Sequence, residues 1–141
     1  MTLGKTPQGI NMTPLADANV ILRYILNDHE NFSARAKEII ENEVIEIPIE
    51  VLCEVVYVLS GVYSIDRIEI RDALKALFET TRCVLPHRMS VLKGLDYYAE
   101  KNLDFVDSLL AGYAVTEGVS VKTFDNRLQK LLVSFNIAGR E

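Results

Sequence analysis

The sequence has few of the residues that hold zinc or build disulfide-rich domains. It contains only two cysteines, Cys53 and Cys83, and two histidines, His29 and His87. The cysteines form no CxxC pair and have no Cys/His spacing typical of a zinc site. We therefore expect two small, buried apolar side chains in a reduced, cytoplasmic protein. The histidines have no partner at a metal-binding spacing, and we interpret both as surface residues.

Long apolar runs and the common nucleotide-binding or hydrolase signatures are also missing. No apolar run approaches the roughly 20 residues that a membrane-spanning helix needs, and no signal peptide is recognisable, so we expect no membrane association. The patterns GxxxxGK[ST], GxGxxG and GxSxG do not occur. The net charge of −5 argues against a protein that coats nucleic acid without metal. It does not exclude a nuclease, because bound cations invert the local charge of an acidic site.

The composition is that of one globular domain. The chain has 141 residues, 49% of them hydrophobic and 25% charged, which is enough to bury a core and unlike a disordered protein. Residues 1–12 are polar and contain glycine, proline and glutamine, so they are predicted to form a flexible arm. Residues 13–141 are predicted to form a single domain with no repeat and no linker.

Short apolar segments alternate with helical patterns along this domain. Strands are predicted at 13–17, 44–48, 83–86, 120–124 and 133–137. Helices are predicted at 20–27, 33–42, 49–62, 66–80, 88–101, 105–117 and 126–132, with Ser33 as an N-cap and Gly118 as a C-cap. This alternation indicates right-handed crossovers and a mostly parallel sheet that is covered on both faces, which is an α/β fold.

Four acidic residues stand beside these apolar segments. Asp17 and Asp125 follow predicted strands, and ligands of such sheets bind at the carboxyl ends of the strands. Glu54 lies on a long apolar helix, and Asp107 lies in the first turn of another. If the fold brings the four together, they form a pocket of oxygen ligands that selects Mg²⁺ or Mn²⁺ over zinc. This is the chemistry of phosphodiester hydrolysis.

Each acid also has a structural explanation. Asp17 and Asp125 each precede a helix and suit N-caps, and Asp104 with Asp107 resembles a capping box. Glu54 shares its helix face with Glu50 and has no nearby Lys or Arg, so this stripe could be only the solvated side. Like charges repel when carboxylates lie close together. Their convergence therefore makes sense if a cation neutralises them, and both interpretations stay open on the residues alone.

The four segments occur in an order that resembles a known family. The runs LADANVILRYILND, IEVLCEVVYVL, LDFVDSLLAGYA and TFDNRL carry a D-x-N opening, a Glu on an apolar helix, a D-[SA]-L-L-A segment and a T-x-D segment. Over roughly 14–137, this resembles the PIN domain, and within it the VapC-type toxins of toxin–antitoxin modules. The resemblance puts the acidic ligands and catalytic residues at Asp17, Glu54, Asp107 and Asp125. It puts supporting polar residues at Asn19 and Thr123.

The resemblance implies a three-layer α/β/α sandwich that acts as a Mg²⁺- or Mn²⁺-dependent endoribonuclease. Such proteins are usually homodimers that cleave RNA and are silenced by a cognate antitoxin protein. Three alternatives remain. The chain could be an RNA-processing nuclease outside toxin–antitoxin systems, or a non-catalytic protein-binding module. It could also be a phosphoacceptor domain, which needs a lysine at a strand end, and Lys122 is not obviously placed for that role.

Overall fold

The computed structural model describes residues 12–135. They contain seven α-helices and two short strands, which are joined by loops. The helices are α1 (Ala18–Leu26), α2 (Glu30–Asn42), α3 (Ile49–Gly61), α4 (Arg67–Thr80), α5 (Arg88–Glu100), α6 (Phe105–Glu117) and α7 (Asn126–Ser134). The strands are β1 (Ile45–Glu46) and β2 (Cys83–Val84). Every predicted helix is present, with bounds that differ by three residues at most. The predicted arm lies outside the described residues, except for the exposed Met12.

The sheet is small and parallel. β1 pairs with β2 in the register Ile45 to Cys83 and Glu46 to Val84. Leu15 forms a single parallel bridge to Glu46 on the other side of β1. The predicted α/β class and parallel direction are therefore confirmed, while helices dominate the described chain. The three-layer sandwich stays a prediction.

Of the three other predicted strands, 13–17 contributes only the bridge at Leu15, and two are not seen in the described residues. Residues 118–125 have no regular secondary structure, and side chains bind two of their backbone groups. The Thr123 carbonyl accepts from Gln129 Nε2 at 2.7 Å, and the Thr123 hydroxyl accepts from the Asp125 amide at 3.0 Å. In the predicted strand 133–137, Val133 and Ser134 belong to α7, and residues 136–137 lie outside the described residues.

The helices α5 and α6 form an antiparallel pair at the centre of the molecule. Their backbones approach closely because both helices carry a glycine at the crossing. A Cβ at Gly112 would overlap the Ser90 carbonyl, and a Cβ at Gly94 would lie 3.2 Å from Leu109. After α6 the chain turns at Gly118, whose φ of 72° confirms the predicted C-cap. This crossing fixes the start of α6, where Asp107 lies.

A large core lies between the sheet and the helices α1 to α6, and its fully buried side chains include Ile21, Leu52, Leu74, Leu95 and Phe105. A smaller cluster holds α7 against α5 and α6, and it consists of Tyr97, Leu103, Ala111 and Leu128. Every helix of the described chain is too short or too polar to cross a membrane. The two cysteines are free; Cys83 is buried as expected, and Cys53 is only partly buried.

The predicted N-cap at Ser33 is wrong, and both histidines have structural roles. The α2 helix begins at Glu30, because His29 Nδ1 accepts from the Phe32 amide at 3.1 Å. Ser33 instead lies buried in the first turn, where its hydroxyl accepts from the His29 amide at 3.1 Å. His87 is half-exposed, as a surface residue would be, but its Nδ1 lies 2.7 Å from a carboxylate oxygen of Glu117.

Candidate active site

Asp107 is the acid that interacts most with other acids. It lies in the first turn of α6 and is partly buried. Burial raises the pKa of its carboxyl above the ordinary value, and the negative charges of Asp125 and Asp104 raise it further. Both effects disfavour the ionised form. The fold therefore brings Asp104, Asp107 and Asp125 within electrostatic range of one another.

Asp125 is presented by the start of α7. Its Oδ1 accepts from the Leu128 amide at 2.9 Å, so it is an N-cap, and Leu128 is fully buried in the smaller core. The Thr123 hydroxyl fixes the Asp125 amide, as described above. Thr123, one of the predicted supporting residues, thus holds the backbone that carries Asp125. The cap uses one carboxylate oxygen and leaves the other free to bind a ligand.

Asp104 precedes α6, but the capping box predicted for it is wrong. Its side chain makes no cap hydrogen bond. The Asp104 carbonyl instead accepts from the amide and the hydroxyl of Ser108, at 2.8 and 2.9 Å. The carboxylate Oδ2 accepts from the Tyr57 hydroxyl at 3.4 Å. Because this carboxylate makes no cap bond, its charge is not bound to the end of the helix, and it acts on Asp107.

The α3 helix turns a mixed acidic and aromatic face toward the start of α6. Burial raises the pKa of Tyr57, and so do the charges of Asp104 and Asp107. Burial likewise raises the pKa of Cys53, with smaller contributions from the charges of Glu50 and Asp104. The negative charge of Glu50 on α3 therefore acts on the Cys53 thiol, the same group that the charge of Asp104 affects. The predicted ligand Glu54 is exposed and makes no hydrogen bond or ion pair within residues 12–135.

Asp17 directly precedes α1 and is exposed. Its Oδ1 accepts from the Val20 amide at 3.1 Å, so the capping interpretation is correct for α1. Asn19, the other predicted supporting residue, is exposed in the same helical turn. It lines a groove of about 130 Å³ that also includes Arg23. As with Asp125, capping leaves one carboxylate oxygen of Asp17 uncommitted.

The structure therefore shows an interaction for part of the predicted acid set, since the charges of Asp125 and Asp104 act on Asp107. Within residues 12–135, no group of three or more His, Cys, Asp or Glu side chains is arranged so that it could hold a metal ion. Asp17 is used as a helix cap, and Glu54 is exposed. The available donors are carboxylate oxygens, which suit a hard divalent cation. In donor chemistry the residues fit Mg²⁺ or Mn²⁺, and the complete ligand set stays a prediction.

Arg67, which no sequence pattern singled out, supports the segment before α6. One guanidinium nitrogen donates to the carbonyls of Tyr98 and Leu103, at 2.9 and 2.5 Å. The guanidinium also lies 4.4 Å from the centre of the Tyr98 ring. These contacts fix the residue directly before Asp104. Only a single arginine at the start of a helix signals this role in the sequence, and that signal is too common to interpret.

Comparisons with known proteins agree with this geometry. The family model of the PIN domain matches residues 15–132, a range that includes all four predicted acids. No curated protein and no solved structure matches the chain significantly. PIN domains have an α/β nuclease fold and generally act as metal-dependent nucleases on RNA or DNA. Since the match covers most of the sequence, this chain belongs to the PIN domain family.

Proposed function

We propose that this protein is a metal-dependent endoribonuclease and the toxin component of a toxin–antitoxin module. The observation that carries the proposal is the position of Asp107 in the first turn of α6, where burial and the negative charges of Asp125 and Asp104 disfavour its ionised form. Like charges gathered at one place destabilise a metal-free fold, and a bound cation relieves their repulsion. Membership of a family of nucleases supports the same conclusion.

Asp107 and Asp125 would hold the cation, with Asp17 and Glu54 completing the set as the family resemblance implies. When bound, Mg²⁺ or Mn²⁺ supplies activation of water and neutralisation of charge on the phosphate oxygens. The residues of the chain supply position. Thr123 holds the backbone of Asp125, and the Tyr57 hydroxyl orients Asp104 beside Asp107. The predicted acid set contains no histidine, and the proposed reaction needs none as a general base.

The decisive experiment is a cleavage assay on single-stranded RNA. Wild-type protein should cleave with Mg²⁺ or Mn²⁺ and stop in excess EDTA. Asp107→Asn should lower the rate at least about 100-fold, because even residues that only support metal ligands typically contribute 10- to 100-fold. The matched control is Asp66→Asn. Asp66 precedes α4 with no side-chain cap bond, as Asp104 precedes α6, and this variant should keep full activity.

Cleavage that persists in EDTA, or in Asp107→Asn, would contradict a metal-dependent nuclease. Specific RNA or protein binding without any cleavage would instead support a non-catalytic module. Cleavage confined to one structured precursor RNA, with no inhibitor protein encoded beside the gene, would favour an RNA-processing nuclease. These outcomes separate the proposal from its alternatives.

The proposed antitoxin should carry a basic segment. Arg and Lys side chains pair well with clustered carboxylates, and a guanidinium binds a carboxylate through two hydrogen bonds. We expect the product of the neighbouring gene to co-purify with this cytoplasmic protein and to inhibit it. Binding should weaken in about 1 M salt and after Arg→Ala changes in the partner. Unchanged binding in both tests would count against this mode of inhibition.

The homodimer is the remaining part of the proposal. We expect light scattering of the purified protein to give twice the mass of the 15.9 kDa chain. A monomeric mass at all accessible concentrations would contradict a homodimer and leave the cleavage proposal intact.

A further inference from the structure

Phe124 is held out in solvent although its backbone is fixed. Its side chain is fully exposed, at 102% of the reference value. Its neighbours Thr123 and Asp125 are both tied to the start of α7, through the Gln129 amide and the Leu128 amide respectively. Leaving a phenylalanine in water forgoes the stabilisation that its burial would give. A rigid backbone that displays an aromatic ring indicates a surface built for contact.

The other exposed phenylalanine of the described chain is covered by its neighbours. Phe32 is 48% exposed and stacks on the His29 ring, with centroids 4.5 Å apart. The Arg35 guanidinium also lies 5.8 Å from the centre of the Phe32 ring. Within residues 12–135, neither a ring nor a cation lies on Phe124. Both of its faces are therefore available to a planar partner.

Two lysines line the groove of the exposed ring and the depression that adjoins it. Phe124 forms the rim of an open groove of about 700 Å³, together with Lys122 and the apolar Val121 and Val133. Lys130 lines the adjoining depression, which shares Val133 with this groove. Neither lysine forms an ion pair within residues 12–135. A locally positive strip thus adjoins Asp125 in a protein whose net charge is −5.

We propose that Phe124 is a stacking platform for a nucleobase of single-stranded RNA, with Lys122 and Lys130 contacting the phosphates on either side. This inference rests on the proposed function, since it places the RNA next to the acid cluster. An exposed aromatic ring with lysines in the same and the adjoining groove matches single-stranded nucleic acid, which offers a π-face and a phosphate at each nucleotide. In a duplex the bases are stacked on one another and are not free to stack on this ring. The lysines also make the strip a poor match for the basic antitoxin segment proposed above.

The experiment measures binding separately from cleavage. The Asp107→Asn protein, in which cleavage is blocked, is titrated into a single-stranded RNA of roughly 12 nucleotides that carries fluorescent 2-aminopurine. Stacking on the ring should quench the fluorescence. Adding Phe124→Ala should weaken binding about 5- to 150-fold, as expected for the loss of one stacked base, and should abolish the quenching. Phe124→Trp should restore both signals, and the matched control Phe32→Ala should change neither.

The lysines are tested by the salt dependence of the same binding. Replacing Lys122 or Lys130 by Ala should lower the slope of log affinity against log salt by about 0.7 for each lysine. A duplex of the same sequence should bind at least several-fold more weakly than the single strand. An unchanged slope would remove the lysines from the proposal, and tighter binding of the duplex would overturn the stacking role.

The outcomes distinguish this inference from the proposed function. Phe124→Ala protein that binds and quenches RNA like its parent would overturn the inference, even if the wild type is an active nuclease. Wild-type protein that quenches the probe through Phe124 but never cleaves RNA would uphold the inference and refute the nuclease. If Phe124→Ala leaves RNA binding intact but changes the oligomeric mass or antitoxin capture, the ring is a protein contact and the inference fails.

Discussion

The acids at the starts of α6 and α7 differ from Asp17 and Glu54 in the interactions that the structure shows for them. The charges of Asp104 and Asp125 act on Asp107, and the side chains of Tyr57 and Thr123 bind Asp104 and the Asp125 backbone respectively. By contrast, Asp17 caps its own helix, and Glu54 is exposed. The start of α6 is held by packing between helices, because the glycines at the α5–α6 crossing and the contacts of Arg67 fix where α6 begins.

This difference shows which acids have a purpose that capping cannot explain. An N-cap is satisfied by one hydrogen bond within its own helix, so Asp17 gains its structural role without any neighbour. Asp107 has no such bond, and it is placed where burial and two other acids disfavour its charge. A position that opposes its own ionisation indicates a functional site more strongly than a cap does.

The largest expected effect is at Glu54, which is compared with Glu50, the other exposed acid of α3. Glu54→Gln should lower the rate of RNA cleavage at least about 100-fold if Glu54 is a metal ligand, while its stability should change by less than about 0.5 kcal/mol. Glu50→Gln, one helical turn earlier, should retain activity within a few fold. Kinetics and urea unfolding of both variants test this. The reverse result would assign the ligand to Glu50, whose charge reaches Cys53 beside Asp104.

The next largest effect is expected at Asp17, where two variants distinguish helix capping from metal binding. Asp17→Ala should lower the free energy of unfolding by about 0.5–2 kcal/mol, whereas Asp17→Asn should cost far less because Asn is an equally good N-cap. Both variants should lose RNA cleavage if Asp17 is also a ligand. Urea denaturation measured with cleavage rates makes the comparison. Full activity in Asp17→Asn would leave Asp17 as a cap alone.

A smaller effect is expected from the repulsion around Asp107. Its pKa is higher in the folded protein than its ordinary value of 3.8, so its contribution to stability is present at low pH and is lost as pH rises through the folded pKa. Without metal, Asp107→Asn should therefore melt at or above the wild type at about pH 7, with the difference shrinking toward about pH 3.

Metal should reverse that order. Mn²⁺ should raise the melting temperature of the wild type, since a ligand that binds only the folded state adds about 2.7 kcal/mol at a hundredfold excess over its Kd. Asp107→Asn should gain less. A loss of about 0.5–2 kcal/mol in both conditions, with an unchanged metal response, would mean that Asp107 only stabilises the start of α6.

The smallest expected effect is at Glu117, whose pKa is shifted in the opposite direction to the pKa of Asp107. Hydrogen bonds from His87 and Ser90 lower the pKa of Glu117 below its ordinary value of 4.5. Its contribution to stability is therefore present above the ordinary value and is lost as pH falls through the lowered pKa. Glu117→Gln should flatten the acid side of the stability profile, measured by urea unfolding between about pH 2.5 and about pH 6. An unchanged acid side would mean that these hydrogen bonds contribute nothing.

The local features of the fold could be predicted from the sequence. Apolar periodicity located all seven helices, and Gly118 ended α6 as predicted because glycine adopts a positive φ without strain. The strand at 120–124 could not be excluded, since its apolar alternation is genuine. The side chains of Thr123 and Gln129 bind the backbone there instead, and such a local competition has no periodic signature.

The sequence by itself determined the helices, the parallel direction of the short strands and the order of motifs that indicates the family, and it offered Asp17 and Asp125 as caps without deciding between capping and metal binding. These depend on near neighbours in the chain or on ordered motifs. Only the tertiary structure decided that the charges of Asp104 and Asp125 act on Asp107, that the Tyr57 hydroxyl binds Asp104, and that the Phe124 side chain is fully exposed. The physical reason is that contacts between distant segments depend on how closely helices pack, as at the α5–α6 glycines. Periodicity shows which face of a helix is buried, but it does not specify which partner covers that face.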